Sequence, residues 1–388
     1  MLTRLLRQYI AARQLALALF FDHRAHADLD LATAKSTLSP IDKATTDQRY
    51  SFNIGEIDGK AFSRLIGKKI VFAPPIAECG VWPYDAEQQA KHVDFVIGVD
   101  EHGSPVTHSC DPDGVANYFG ANEHASHYLT PVWFTRDVLS KYYDQPDKFS
   151  VEDGYLRCGS LWGIQIDNNI PDHVVVYLGD LGRDLHYEEQ AYWRHFNVTP
   201  GDRQPSKTNF RRSFLAEFAD PSEPDLVFKQ RYTQLNEAWA GKFGWLLFRS
   251  PHEGDAHVFK QFRLPISESL GEFDNQLLFL VKLVIDSLNE AELTKACGTL
   301  PNEQGIGKFE RYLKAQNYTN VDRDIGALRV LQALRSSGVA HAKGKNFDKI
   351  QKSVGLDRSS PRDVFRSLLS GVNQMLSDLS AYFVPATD

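Results

Sequence analysis

The spacing of apolar side chains divides the chain into two parts. Up to about Phe262, apolar residues form short runs rich in β-branched and aromatic side chains, such as Lys69–Phe72 and Val93–Val99. Such runs are typical of strands. After Pro265 the apolar residues recur at steps of three and four, which is the period of an amphipathic helix. The pattern predicts an α+β protein with a mixed domain over residues 1–262 and a helical domain over residues 263–388.

The mixed domain is predicted to begin with a helix over Leu2–Leu19 and to contain antiparallel hairpins. The clearest hairpin joins Tyr155–Asp167 to His173–Gly182 through a segment of Asn, Pro and Asp residues, which favour turns. A helix over Tyr187–Phe196 follows, and Asp184 is its predicted cap.

Four apolar-striped helices are predicted in the helical domain: Leu270–Leu293, Gly307–Ala315, Val321–Leu334 and Arg362–Phe383. The last of them has the clearest start. Ser360 is a good N-cap, Pro361 suits the first helical position, and Asp363 complements the helix dipole. Helices with one apolar stripe each bury those stripes against one another, so the pattern predicts an all-α bundle.

Composition narrows the classes of function. Hydrophobic residues make up 42% and charged residues 24%, as in a folded globular protein, and the net charge of -7 argues against coating nucleic acid by bulk electrostatics. No apolar run reaches the length that spans a membrane.

The apolar run Leu15–Phe21 after basic residues resembles a signal peptide, but the charges that follow it favour an amphipathic helix. The cysteines lack the spacing of a zinc or redox site, so we expect a cytoplasmic protein.

One segment of the acidic chain is basic. Nine basic and three acidic residues lie between Arg329 and Arg366. Within it, Arg335 and His341 stand six residues apart, which on an unbroken helix separates them by about 120° and about 9 Å. Gly338 between them favours a helix end that folds His341 back toward Arg335. Arginine binds phosphate through a planar fork and histidine exchanges a proton near neutral pH, so the pair suits phosphodiester chemistry without a metal.

An arginine, a polar residue and a later histidine inside a helical bundle resemble the Arg-x4-6-His signature of the HEPN superfamily. Its members are frequently metal-independent endoribonucleases of prokaryotic defence and toxin systems, in which two motifs meet across a dimer. The resemblance is confined to the predicted bundle. It implies that Arg335 binds the scissile phosphate, that His341 transfers protons, and that Ser336 occupies a position where the family more often has Asn, Asp or His. It also implies an RNA substrate, a homodimer and no cofactor.

The lysines that follow the motif are predicted to bind RNA. RNA binding should depend on Lys343, Lys345 and Lys349 and be sensitive to salt, because phosphate contacts release counterions. Together with Arg335 and His341 they predict an endoribonuclease of a defence or toxin type. The mixed domain would then recognise a target or an activator that the sequence does not identify.

Other interpretations are open. Arg335 and the lysines are equally typical of a helix C-terminus and a solvated surface. The bundle is also compatible with a non-catalytic regulatory or nucleic-acid-binding protein that dimerises, and the mixed domain is a third candidate for the active part. Possible metal ligands lack clear partners, and we expect no metal site: His124 with His127, and His23 and His26 with Asp28. Four acids favour helix capping over metal binding: Asp180, Asp184, Glu188 and Glu189.

Overall fold

The computed structural model of the chain describes residues 2–75, 91–251, 253–301, 303–336 and 345–385. Contacts divide the chain into two units, residues 1–90 and residues 91–388. Each unit combines helices with antiparallel strands, so the fold is α+β as predicted. None of the described helices combines the length and the apolar character that crossing a bilayer requires.

The first unit is built on a four-stranded antiparallel sheet with the strand order β1-β4-β3-β2. Asp58 and Gly59 join β3 to β4 with positive φ angles of 52° and 76°, as a tight hairpin turn requires. The described elements are α1 (Leu2–Ala12), β1 (Leu17–His26), α2 (Leu31–Thr37), β2 (Ile41–Ala44), β3 (Gln48–Ile57) and β4 (Lys60–Val71).

The helix predicted over Leu2–Leu19 is wrong in its second half. It ends at Ala12, and Gln14 follows with a left-handed φ of 51°. The apolar run that resembled part of a signal peptide lies largely in β1, which pairs with β4 along its whole length. The partner strand is more than 30 residues away in sequence, so the local pattern did not reveal this pairing.

The first half of the second unit contains three antiparallel sheets around an apolar core. Their strand orders are β11-β12-β7-β13, β10-β9-β8 and β5-β6. Phe95, Phe134 and Trp193 are fully buried in this core. The described elements are β5 (Asp94–Val99), β6 (Pro105–Ser109), β7 (Pro131–Thr135), α3 (Ser140–Tyr143), β8 (Phe149–Glu152), β9 (Tyr155–Cys158), β10 (Trp162–Gln165), β11 (Asp167–Ile170), β12 (His173–Tyr177), α4 (Leu178–Asp184), α5 (Tyr187–His195), β13 (Asn197–Val198) and α6 (Lys207–Phe214).

The predicted hairpin exists in a different form. The segment Tyr155–Asp167 is not one strand, because Gly159 adopts a left-handed φ of 50° and the chain turns there, so that β9 pairs with β10. The partner of β12 is the short β11. The predicted cap is also wrong, since Asp184 is the last residue of α4 and His186 occupies the N-cap position of α5.

The second half of this unit is helical. Its helices are α7 (Pro224–Phe243), α8 (Ala256–Gln261), α9 (Leu270–Val281), α10 (Glu290–Cys297), α11 (Gly305–Ala315), α12 (Val321–Leu334), α13 (Lys345–Val354) and α14 (Pro361–Phe383). They share a second core that runs from Phe228 to Phe383, and α7 packs along α14. The predicted domain boundary at Phe262 therefore falls inside this unit and among residues of one core.

Local signals determined two helices of the bundle well. The bounds of α12 match the prediction, and its stripe residues Ile325, Leu328 and Leu331 are buried. The start of α14 is also confirmed, because the Ser360 hydroxyl accepts a hydrogen bond from the Asp363 N–H at 3.1 Å.

The helix predicted over Leu270–Leu293 is interrupted. It continues from α9 into a π-helical turn over Lys282–Asp286, and α10 begins only at Glu290. Asn289 starts the new helix, because its side chain accepts a hydrogen bond from the backbone of Glu292 at 3.4 Å. The apolar stripe continues across the break, which explains why the periodicity predicted one helix.

Glu272 stabilises the segment before α9. Its carboxylate accepts hydrogen bonds from the N–H groups of Ile266 and Ser267 at 3.0 and 2.8 Å, and from Arg263 at 3.1 Å. Burial raises the pKa of Glu272, but these donors and the Ser267 hydroxyl together hold it below its ordinary value. The charged form is thus favoured by folding, and its contribution to stability is lost as the pH falls through the pKa of the folded state.

We therefore expect Glu272→Gln to lower the free energy of unfolding at pH 7 by about 1–3 kcal/mol. The difference in the free energy of unfolding between Glu272→Gln and the unsubstituted protein should shrink as the pH falls below about 4, because protonation then removes the charge of Glu272. Chemical denaturation between pH 3 and pH 7 measures it. Ser267→Ala, which removes one donor, should show a smaller effect of the same sign. A Glu272→Gln difference that is constant over this range would contradict the assignment.

Candidate functional site

Arg335 lies at the C-terminal end of α12. It follows the buried Leu334 and keeps helical dihedral angles, so its side chain is rotated by about 100° from Leu334 to the edge of the buried stripe. At that edge it meets Asp286. Its Nη1 donates to the two carboxylate oxygens at 2.8 and 2.7 Å, and the side chains are 34% and 41% exposed. The helix geometry therefore presents the guanidinium at the surface of the bundle.

Asp286 is the last residue of the π-helical turn that extends α9. π-helical turns insert an extra residue into a helix and occur frequently at functional sites. Two further cations lie around this turn: Arg249 donates to the backbone carbonyl of Asp286 at 3.2 Å, and Lys282 donates to Asp255 at 2.7 Å. The turn thus gathers three basic side chains and two carboxylates.

A cavity of about 260 Å³ lies next to this turn, and its lining includes Arg249, Lys282, Asp286 and Tyr232. Burial raises the pKa of Tyr232 to about 12, although a hydrogen bond with Ser287 acts in the opposite direction. Tyr232 is consequently a neutral hydroxyl at physiological pH. It suits hydrogen bonding to a ligand and does not suit the role of a general base.

The remaining residues of the predicted site have different positions. The Ser336 hydroxyl donates to the backbone carbonyl of Gln332 at 2.8 Å, the usual contact of a serine with the preceding helical turn. Lys349 is exposed on α13, and Lys345 is the first residue of that helix. His341 and Lys343 lie outside the described residues. The distance between Arg335 and His341 consequently stays a prediction.

The possible metal ligands do not assemble. Among the described residues no three His, Cys, Asp or Glu side chains form a group that would hold a metal ion. The His127 ring meets the Tyr118 ring edge to face, with 4.5 Å between the ring centres, and its Nδ1 accepts a hydrogen bond from the Leu129 N–H at 3.0 Å. In the other predicted set, Asp28 pairs with Lys60 at 2.7 Å.

The four acids around α4 and α5 also have partners or capping positions. Asp180 and Asp184 both contact Arg183 at 2.8 Å. Glu188 and Glu189 lie in the first turn of α5, where carboxylates complement the helix dipole. The buried Glu189 in addition receives a hydrogen bond from Lys141 at 2.7 Å. These contacts favour a structural role for the acids.

Sequence reasoning missed Asp286 and Arg249. Asp286 is 49 residues before Arg335, inside a segment that was predicted as one continuous helix. Only the packing of α9 against α12 brings the two side chains together. The stretch Asn289–Glu292, an N-cap residue followed three positions later by glutamate, is a helix-start signal that could have shown the break.

The arrangement suits anion binding. An exposed ion pair of this kind stabilises a fold by only about 0–1 kcal/mol, so a phosphate is able to take the place of Asp286 at Arg335. Arginine is also the side chain that matches phosphate best in geometry. Comparison of the chain with protein-family models, with curated proteins and with solved structures gave no match.

Proposed function

We propose that the chain is a metal-independent endoribonuclease whose active site includes Arg335 and His341 of a HEPN-like helical bundle. The observation that supports the proposal most is the position of Arg335. It stands at the exposed end of α12, beside a cavity that two further cations border. In this proposal Arg335 binds the scissile phosphate and stabilises the charge that develops on it, and His341 transfers a proton.

The chemistry needs little else from the protein, because RNA carries its own nucleophile in the 2′-hydroxyl. Cleavage requires a proton acceptor, a proton donor and positive charge over the phosphate. One histidine supplies a single proton-transfer group, so a second copy of the chain would complete the site. Asp286 has the role of holding Arg335 in place until the phosphate displaces it.

The proposed function is tested by incubating the full-length chain with a structured RNA in the presence of EDTA. Cleavage by the unsubstituted chain and its loss in His341→Ala are the expected results. Cleavage that stops on metal removal, or that persists in His341→Ala, would contradict the proposal.

The dimer is a separate prediction. Light scattering at micromolar concentration should give twice the mass of one chain for the cleaving protein. A chain that remains strictly monomeric and still cleaves RNA would exclude a site shared between two copies.

The lysines after the motif should bind RNA phosphates. We expect the combined replacement of Lys343, Lys345 and Lys349 by Ala to weaken RNA binding and to lower the slope of log affinity against log salt by about 2, from about 0.7 per lost contact. Fluorescence anisotropy at several salt concentrations measures this. Lys295→Ala is the matched control, because Lys295 is exposed but paired with Glu292 on α10. An unchanged slope in the triple variant would assign these lysines to ordinary solvated surface.

The ion pair between Arg335 and Asp286 favours a second candidate, a non-catalytic regulatory or nucleic-acid-binding protein. If Arg335 only anchors α12 to α9, its pairing with Asp286 is its whole function. The two candidates differ in how the loss of Arg335 and the loss of Asp286 affect RNA cleavage.

A further inference from the structure

One face of the sheet in the first unit combines an exposed aromatic ring with cations. Phe20 on β1, Lys68 on β4 and Arg49 on β3 are paired in one row across the three strands. Residues paired in this way point to the same face of a sheet, and adjacent strands are about 4.8 Å apart. The ring and the guanidinium thus extend from backbone positions about 10 Å apart, with the lysine between them.

Solvent reaches this row. Phe20 is 77% exposed, the largest exposed fraction among the large apolar side chains of β1. Phe20, Arg49 and Lys68 border a shallow groove of about 380 Å³, together with Ile66. An exposed phenylalanine beside two cations is a surface with one apolar and one positively charged part.

The neighbouring charges have been largely neutralised within the sheet. Arg64 donates to Asp22 through two nitrogens at 2.8 Å each, and Arg24 contacts the same carboxylate at 3.2 Å. The contact of Arg49 with Asp42 is longer, at 4.0 Å. Within the described part of the chain, Lys68 has no ion-pair partner. Arg49 and Lys68 are therefore the cations of this face that are best placed to bind an anion.

We propose that this face binds single-stranded nucleic acid, with a base stacked on Phe20 and phosphates bound by Lys68 and Arg49. Stacking on an aromatic ring beside a row of cations is the general mode of single-strand binding, and it tolerates any base sequence. A duplex keeps its bases stacked internally and has no free base face for Phe20. A protein partner is disfavoured as the occupant, because the cations flank the ring on one side only and phosphate complements them directly.

The proposal is independent of RNA cleavage, so its test uses a probe without a 2′-hydroxyl. Binding of a labelled 15-nucleotide oligo(dT) to the full-length chain is measured by fluorescence anisotropy. We expect Phe20→Ala to weaken binding by roughly 5- to 150-fold, the range for losing one stacked base. Phe20→Tyr should retain the affinity, whereas Phe20→Leu should lose it, because only the aromatic ring provides a stacking surface. The Arg49→Ala and Lys68→Ala double variant should lower the salt slope by about 1.4, from about 0.7 per contact.

Matched controls are available on the same chain. Phe119 is 97% exposed in the second unit, and Phe119→Ala should bind like the unsubstituted protein. Lys43 is exposed on the opposite face of the sheet, paired with Tyr50 in the strand register, and Lys43→Ala should keep the salt slope. Because Phe20 is exposed, thermal unfolding of its variants should be unchanged, which separates lost binding from lost folding.

Three results would overturn the proposal. The first is no binding of oligo(dT) by the unsubstituted chain in a low-salt buffer, and the second is binding by Phe20→Ala and by the double cation variant that equals the binding by the unsubstituted chain. The third is a change of oligomeric state in Phe20→Ala without any change in oligonucleotide binding, which would identify a protein contact. Absence of RNA cleavage by the unsubstituted chain, together with intact oligo(dT) binding, would contradict the ribonuclease and leave this face as assigned.

Discussion

Arg335→Ala is expected to lower the rate of RNA cleavage by about 10²–10³, because a preorganised donor to the developing charge of a transition state contributes about that factor. The same substitution should change the free energy of unfolding by no more than about 1 kcal/mol, since the ion pair that it removes is exposed. A single-turnover cleavage assay and chemical denaturation of the same preparation measure both effects.

Asp286→Asn is the matched control for this prediction. Asparagine keeps the shape of the side chain and an oxygen that accepts a hydrogen bond from Arg335, but it removes the charge. If Arg335 binds the phosphate, Asp286→Asn should cleave RNA at a rate within about 10-fold of the unsubstituted chain, a change of about 1.4 kcal/mol or less. If Arg335 only anchors α12, Asp286→Asn and Arg335→Ala should have the same effect on the rate of RNA cleavage. Equal loss of activity in both would contradict a catalytic role for Arg335.

Arg136→Met is expected to lower the free energy of unfolding by about 3–5 kcal/mol, the largest effect on stability that we predict. Arg136 is 2% exposed, and its guanidinium contacts Glu223 and Asp225 at 3.5 and 3.3 Å. Both carboxylates are buried as well, and Glu223 also contacts Arg366 at 3.2 Å. Methionine fills much of the space of arginine but leaves the carboxylates without this cation.

This network joins two parts of the second unit. Arg136 follows β7 of the sheet region, Glu223 is the N-cap residue of α7, and Asp225 lies in the first turn of that helix. Asp225 also accepts a hydrogen bond from the Leu264 N–H at 3.1 Å. Its loss should therefore destabilise the sheet region and the bundle together. Chemical denaturation followed by tryptophan fluorescence measures the effect. Arg211→Met is the control, because Arg211 forms a half-exposed pair with Glu217 and should cost at most about 1 kcal/mol. Equal stabilities of the two variants would contradict the role of the buried network.

The sequence predicted those elements whose signals are local. α12 and α14 each carry an apolar stripe, and Ser360 and Pro361 mark the start of the second one within two residues. The α+β class followed from the change of period near Pro265. The first residues of β1, Leu17–Leu19, were predicted as helix because the strand is defined by pairing with β4, a contact that does not appear in the local pattern.

The candidate site was predictable only in part, for the same reason. Arg335 was identified from its place at a helix end, a local feature. Its contact with Asp286 depends on how α9 packs against α12, and the cavity beside it also needs Arg249 from a third segment. The network around Arg136 joins residues about 90 positions apart, which no spacing rule links.

The chemistry of the cleavage products tests the proposed ribonuclease most directly. Attack by the 2′-hydroxyl leaves a 2′,3′-cyclic phosphate on one product and a 5′-hydroxyl on the other. We expect mass spectrometry of RNA cut in the presence of EDTA to find these ends, and a single 2′-deoxy substitution at the cut site to stop cleavage there. Products with a 5′-phosphate, or cleavage that continues at the 2′-deoxy position, would contradict a metal-independent mechanism at Arg335 and His341.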